Sequence, residues 1–351
     1  MADVDERYAS IGASFVSATA LRIGLDLDGS LESLGNSMTD LADVLEATGD
    51  CELVRFRTHT RAQTPRELEL RGRTIWWGLW RRGLGRSLDD LVGAVDVIHV
   101  AGVATPPTRR IPLVISVDDL RALRAEHHTH QRITQLRRAV TRGALIVASS
   151  RSASHEVQHV LGVARNRVVV VPPAVPHVEA TVDGSDLVVN ITGQAELFMS
   201  VAPVLVKFAA SRGATVVALA SDDVGAKVRA SGLAVSVRAR RDARDALARA
   251  RVVMHLSDGA RFPSFAIAAL SAGVPTIARS TEINRELLGG AAVLMSSYDE
   301  VPSALDELWS DEARRAILVG AGHARAADFA PATAARAYLA LYRDVVRGWS
   351  E

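Results

Sequence analysis

The chain has 351 residues, 48% of them hydrophobic, with a formal net charge of +1; it can bury one large core or two medium ones, and nothing in its charge favours nucleic acid. Its single cysteine, Cys51, excludes an intramolecular disulfide framework and a Cys-rich metal site, which suits a reducing compartment. No apolar run reaches the roughly 18 residues of a membrane span, and the opening MADVDERYAS is too acidic and polar for a signal peptide, so a cytoplasmic location is expected.

After an N-terminal extension over 1–20, short apolar runs alternate with helical patterns almost to the end. Strands are predicted over 21–27, 52–55, 95–100, 113–117, 145–148 and 167–171, then over 187–191, 215–219, 233–237, 252–256, 276–278 and 292–294. These runs are rich in Val and Ile and lack polar alternation, as expected of parallel strands covered by helices on both faces. Amphipathic helices are predicted between them, for example over 38–47, 131–141, 201–211 and 303–319. A Pro-rich stretch at 172–186 separates the two series. The expectation is therefore an α/β protein of two doubly wound, Rossmann-like domains facing a cleft, with residues 21–175 and 187–330 joined by a linker over 176–186.

Several local patterns carry possible chemistry. Asp26-Leu27-Asp28-Gly29-Ser30-Leu31 follows an apolar strand and resembles the phosphate-transfer motif of the haloacid dehalogenase superfamily. The resemblance implies Asp26 as nucleophile and Asp28 as general acid, with Mg²⁺, and leaves Ser149, Lys207 and Asp222-Asp223 for the remaining roles. Glu126, His127, His128 and His130 are crowded into a polar loop, but consecutive spacing suits tetrahedral Zn²⁺ poorly, so no metal site is expected. Cys51 has no neighbouring histidine to lower its pKa and reads as inert. Lys207 and Lys227 are the only lysines; every other basic side chain is arginine.

Residues 73–82, RTIWWGLWRR, hold three of the five tryptophans within five positions, flanked by arginines. Trp76, Trp77, Trp80, Arg81 and Arg82 are the interface candidates, suited to a protein partner or to peripheral contact with the inner face of a membrane. The alternative is that two of these tryptophans pack in the core and one is exposed.

The most informative stretch is 251–294, RVVMHLSDGARFPSFAIAALSAGVPTIARSTEINRELLGGAAVL. It resembles the donor-binding segment of family-4-type retaining glycosyltransferases of the GT-B fold. Segments 95–102 (VDVIHVAG), 110–120 (RIPLVISVDDL), 136–157 (LRRAVTRGALIVASSRSASHEV) and 165–175 (RNRVVVVPPAV) follow that family in order and spacing, so the resemblance spans 21–346, more weakly over 58–91 and 183–242. It implies a GT-B fold, an acceptor-type first domain, a donor-type second domain, and a last helix (331–351) that returns to the first domain. It also implies a nucleotide sugar as donor, no other cofactor, no metal and, if the protein is active, hexosyl transfer.

The donor-site positions implied by the resemblance are degenerate. Registered on Gly273-Val274-Pro275, the family's two glutamates fall on Ala260 and Ala268. The Gly-x-Gly loop reads Gly35-Asn36-Ser37, and the histidine facing the sugar is replaced in Asp118-Asp119, which puts a carboxylate beside a diphosphate. Counting from Gly193, the Arg and Lys that neutralise the diphosphate fall on Gln194 and Met199. At the turn Arg261-Phe262-Pro263-Ser264, proline stands where the family has glycine and removes an N–H from the phosphate-cradling helix start, while Arg261 brings a cation to the same place. Losing these groups removes charge stabilisation of the leaving diphosphate. The expectation is a catalytically impaired, glycosyltransferase-like scaffold or regulatory partner of an active transferase. The alternative is a divergent transferase using Asp118, Asp119 and Arg261 on a glycan, lipid or small-molecule acceptor; a third reading is the phosphatase above.

Overall fold

The computed structural model describes residues 20–28, 38–80, 82, 84–101, 105–117, 129–179, 184–191, 195–257, 259 and 261–350. Two parallel sheets organise them. The first has seven strands in the order β3-β2-β1-β4-β5-β6-β7, built from β1 (Leu21–Asp26), β2 (Cys51–Phe56), β3 (Glu67–Leu68), β4 (Val97–Ala101), β5 (Leu113–Val117), β6 (Leu145–Ala148) and β7 (Val168–Val170). The second has six in the order β10-β9-β8-β11-β12-β13, from β8 (Asp186–Ile191), β9 (Val216–Ala220), β10 (Ser236–Ala239), β11 (Ala250–Leu256), β12 (Thr276–Arg279) and β13 (Val293–Met295).

Helices cover both faces of each sheet, and the central strands β4, β5 and β9 are buried along their whole length, whereas the outer strands β2 and β10 are only partly covered. On one face of the first sheet, α1 (Met38–Thr48) and the last helix, α13 (Pro331–Ser350), share a core of Ile23, Leu25, Leu45, Val97, Leu339 and Tyr342. On the other, α2 (Arg73–Trp80), α3 (Asp89–Val92), α4 (Thr129–Thr141) and α5 (Arg151–Leu161) enclose Trp80, Ile98, Ile115, Leu136, Ile146 and Val157. The second sheet is wrapped by α6 (Ala195–Ser211), α7 (Asp222–Ala230), α8 (Ala243–Ala248), α9 (Ser264–Ser271), α10 (Glu282–Leu288), α11 (Val301–Ser310) and α12 (Glu312–Ala326).

The chain passes between these bodies twice. Val171 packs in the α13-covered core of the first sheet, whereas Val175 and Val178 already pack with the second. On the return, Phe329 lies in the second core and Ala335 in the first. Val175 N donates to Phe329 O at 2.8 Å, so the two crossings are hydrogen-bonded to one another. The helix predicted over 303–319 is in fact two helices. Asp311 is extended (φ −94°, ψ 98°) and its carboxylate accepts from Arg314 N, capping α12 and ending α11. Cys51 is half-buried at the start of β2, and burial pushes its thiol pKa up, as an inert cysteine requires.

Among the described residues no helix is long and apolar enough to cross a membrane.

Candidate functional site

In doubly wound sheets, ligand groups gather beyond the carboxyl ends of the strands. Here those ends come together across the two sheets at Glu286 of α10. Its carboxylate accepts from Arg151 N (2.7 Å) and Ser152 N (2.8 Å), the first backbone amides of α5, while the Arg151 guanidinium stands 3.5 Å away. Ser150 supplies the local cap by accepting from Ala153 N at 3.0 Å. Burial opposes ionisation of Glu286, but the two amides and Arg151 outweigh it and hold its carboxyl below the usual range. A helix start that could receive an anion thus already holds one, supplied by the other half of the molecule.

On the first sheet, the ends of β1 and β2 form a polar cluster. Asp26 is 2% exposed and accepts from Thr58 Oγ1 (2.6 Å), Thr58 N (3.2 Å) and Asp28 N (3.0 Å). Burial nevertheless pushes its pKa up to about 8, with the neighbouring Asp28 adding to the shift. Asp28 accepts from the backbone of His59 and Thr60 and from the Thr60 hydroxyl, with Arg57 at 3.7 Å. Arg57 also pairs with Glu67 at 2.7 Å, tying the two-residue strand β3 to the sheet. Ser149 follows a strand of the first sheet, whereas Lys207 and Asp222 are exposed on helices of the second. The residues left for the remaining phosphatase roles are therefore not brought together with Asp26 and Asp28.

On the second sheet, the helix that resembles the donor cradle is sealed. α9 is buried from Ser264 to Leu270, and Ala268 has no exposed surface. Phe262 is buried and meets Phe329 edge-to-face at 5.6 Å, drawing the turn onto the hinge segment. Pro263 caps α9 without an N–H or a side-chain bond, and Ser264 N donates back to Phe262 O at 2.9 Å. Gly273 has φ +71°, and a Cβ there would stand 2.9 Å from His323 Nε2, so the turn after α9 requires glycine. Arg261 is partly exposed at the start of this turn. Two polar contacts were not anticipated from the sequence. Arg240 Nη2 donates to Ile191 O (3.0 Å) across the ends of β10 and β8, and Asn190 Nδ2 lies 3.2 Å from His255 Nδ1.

Of the residues singled out in the sequence, Gly35, Asp118, Asp119, Gly193, Ala260 and Arg81 lie outside the described residues, as do His127 and His128. Among the described residues no cluster of three or more His, Cys, Asp or Glu could hold a metal. The tryptophan segment needs correcting. Trp80 is completely buried and donates its indole N–H to Arg86 O at 2.9 Å, so it anchors the core. Trp76 and Trp77 are half-buried; Trp76 donates to Arg71 O (3.0 Å), and the Trp77 ring lies 4.4 Å from that of His59. The exposed apolar side chains nearby are instead Ile75 (65%) and Leu84 (59%), with Arg82 exposed beside them.

No protein-family model and no curated protein matches the sequence. Solved structures match over nearly the whole chain. Sucrose-phosphate synthase from Thermosynechococcus elongatus superposes with a TM-score of 0.67 at 13% identity, covering 93% of this chain and 100% of that one. HepE from Anabaena, in complex with UDP and glucose, gives 0.62 at 14%, covering 92% and 99%. WaaG, a glycosyltransferase involved in lipopolysaccharide biosynthesis, gives 0.61 at 11%, covering 90% and 98%. The fold is that of the GT-B glycosyltransferases. At these identities the likeness establishes architecture and leaves activity to the site itself.

Proposed function

We propose that this chain is a glycosyltransferase-like GT-B protein with impaired transfer chemistry, acting as a scaffold or regulatory partner of an active transferase. The observation that carries this reading is Ala268, which has no exposed surface on a helix buried along its length. The family-type carboxylate for the donor ribose is missing there, and the position is buried. The Ser264 amide turned back onto Phe262, and the proline before it, further reduce what the helix start can offer a diphosphate.

One observation favours the alternative of a divergent transferase. Arg240 reaches the end of β8, close in sequence to Gly193, and with Arg261 could supply the positive charge missing from Gln194 and Met199. The HepE relative binds UDP in the same fold. Thermal shift against a panel of nucleotide diphosphate sugars separates the two readings. A donor at 100 times its dissociation constant adds about 2.7 kcal/mol, a readily visible shift. The scaffold reading expects no shift with any donor. A shift of several degrees that Arg240→Ala or Arg261→Ala removes would favour the divergent transferase, and turnover of that donor would establish it.

The partner-facing surface we assign to α2 and the turn after it, where Ile75, Arg82 and Leu84 are exposed and Trp76 and Trp77 half-buried. Replacing Ile75 and Arg82 with serine is expected to weaken co-purification with the partner transferase while leaving the melting temperature within a degree or two; unchanged co-purification would reject that surface.

A further inference from the structure

Far from the carboxyl ends of the strands, a pocket of about 30 Å³ lies at the amino ends of the first sheet's strands, beside Leu113 at the start of β5 and Ala144 just before β6. That is room for about two water molecules, the size of a single small polar group. Its inner wall carries Thr105, whose residue is 8% exposed and whose hydroxyl is buried with no hydrogen-bond partner among the described residues. A buried hydroxyl left unpaired costs free energy, so it marks a place where a ligand atom would be gained at a premium. Its outer wall carries Arg138, on the last turn of α4, and Arg142, just past the end of that helix, both exposed and neither in an ion pair among the described residues. The Trp349 ring closes one side, held by its indole N–H to Arg110 O at 3.2 Å and packed over Gly143.

We propose that this pocket binds a terminal phosphate group, with the Arg138 and Arg142 guanidiniums and the Thr105 hydroxyl as its donors. Two guanidiniums match the charge of a phosphate monoester, and their forked N–H groups suit its oxygens. The volume admits the phosphate head and excludes a sugar or base. The partly exposed indole of Trp349 gives the substituent an apolar wall on the way out. The site lies at the opposite ends of the strands from Asp26, and does not depend on the donor-side reading above.

The full chain is titrated with inorganic phosphate, and with acetate as a singly charged control, following thermal shift and tryptophan emission. Phosphate is expected to raise the melting temperature and acetate not to. Arg138→Ala/Arg142→Ala should weaken phosphate at least tenfold, and Thr105→Val, which fills the same space, should weaken it several-fold. Arg347→Ala, outside the pocket, should leave it unchanged. Co-sedimentation with phosphatidylcholine vesicles with and without phosphatidic acid identifies the source: capture that needs both phosphatidic acid and the two arginines assigns a lipid headgroup, and phosphate binding without capture assigns a soluble phosphate ester. Absence of any phosphate effect, or equal loss in Arg347→Ala and in the double variant, overturns the proposal.

Discussion

His99 Nδ1 lies 2.6 Å from the hydroxyl of Tyr342, joining the middle of the first sheet to a helix that begins only after the second sheet is complete. Both residues have no exposed surface, and His99 Nε2 is 2.8 Å from Ser116 Oγ. The contact fastens α13 to the first sheet through one satisfied polar network inside an apolar core. Tyr342→Phe leaves one imidazole nitrogen buried without its partner and should cost about 1–3 kcal/mol in urea unfolding. Unchanged stability would mean that the contact contributes only shape.

Burial gives His99 and Asp26 opposite pH signatures. His99 falls from 6.5 to about 3, so the native state refuses a proton that the unfolded chain accepts, and stability is lost as pH falls through that window. Asp26 rises from 3.8 to about 8, so the native state keeps a proton that the unfolded chain releases, and stability is lost as pH rises from 3.8 to 8. Each effect has a slope of about 1.4 kcal/mol per pH unit at full development. The two oppose one another between 3.8 and 6.5, and Asp26 acts alone above that. Asp26→Asn should therefore flatten the decline in stability between pH 6.5 and 8. A parallel profile in the variant would show that Asp26 ionises normally.

Glu286 caps a helix of the other half of the molecule. Glu286→Ala should free the first amides of α5, cost about 1 kcal/mol, and widen the distribution of distances between the two sheets in small-angle scattering. Glu286→Gln retains one acceptor oxygen for two amides and should fall between the two. Identical scattering for all three proteins would remove Glu286 as an inter-sheet tie.

Restoring a carboxylate by Ala268→Glu should damage the fold without rescuing donor binding. A charge placed where Ala268 has no exposure is unpaired and desolvated, and a loss of at least about 3 kcal/mol is expected. A stable variant that gains affinity for a nucleotide sugar would show that α9 opens to ligand.

Trp80→Ala should cost about 3–5 kcal/mol, because it empties a fully buried site. Trp77→Ala should cost clearly less, since that ring is half-buried and rests on His59. Equal losses in chemical denaturation would place both indoles in the core.

Local sequence determined the elements. Unbroken Val- and Ile-rich runs can only be strands covered on both faces, so the strands of both sheets were legible to within a few residues, apart from β3. That strand was not: two residues carry no periodicity, and it exists because Glu67 finds Arg57. The break at Asp311 escaped a reading that followed only amphipathic spacing, although an aspartate before the helical run Glu312–Ala326 was a signal for a cap. The site divided in the same way. The absence of acids at Ala260 and Ala268 was readable directly, because it concerns which residue stands at a position. Tertiary structure decided the ionisation of Asp26, the partners of His99, the occupation of the α5 start by Glu286, and the burial of Trp80. Each of these depends on solvent exclusion and on groups brought together from distant parts of the chain, and neither quantity is a property of any local stretch of sequence.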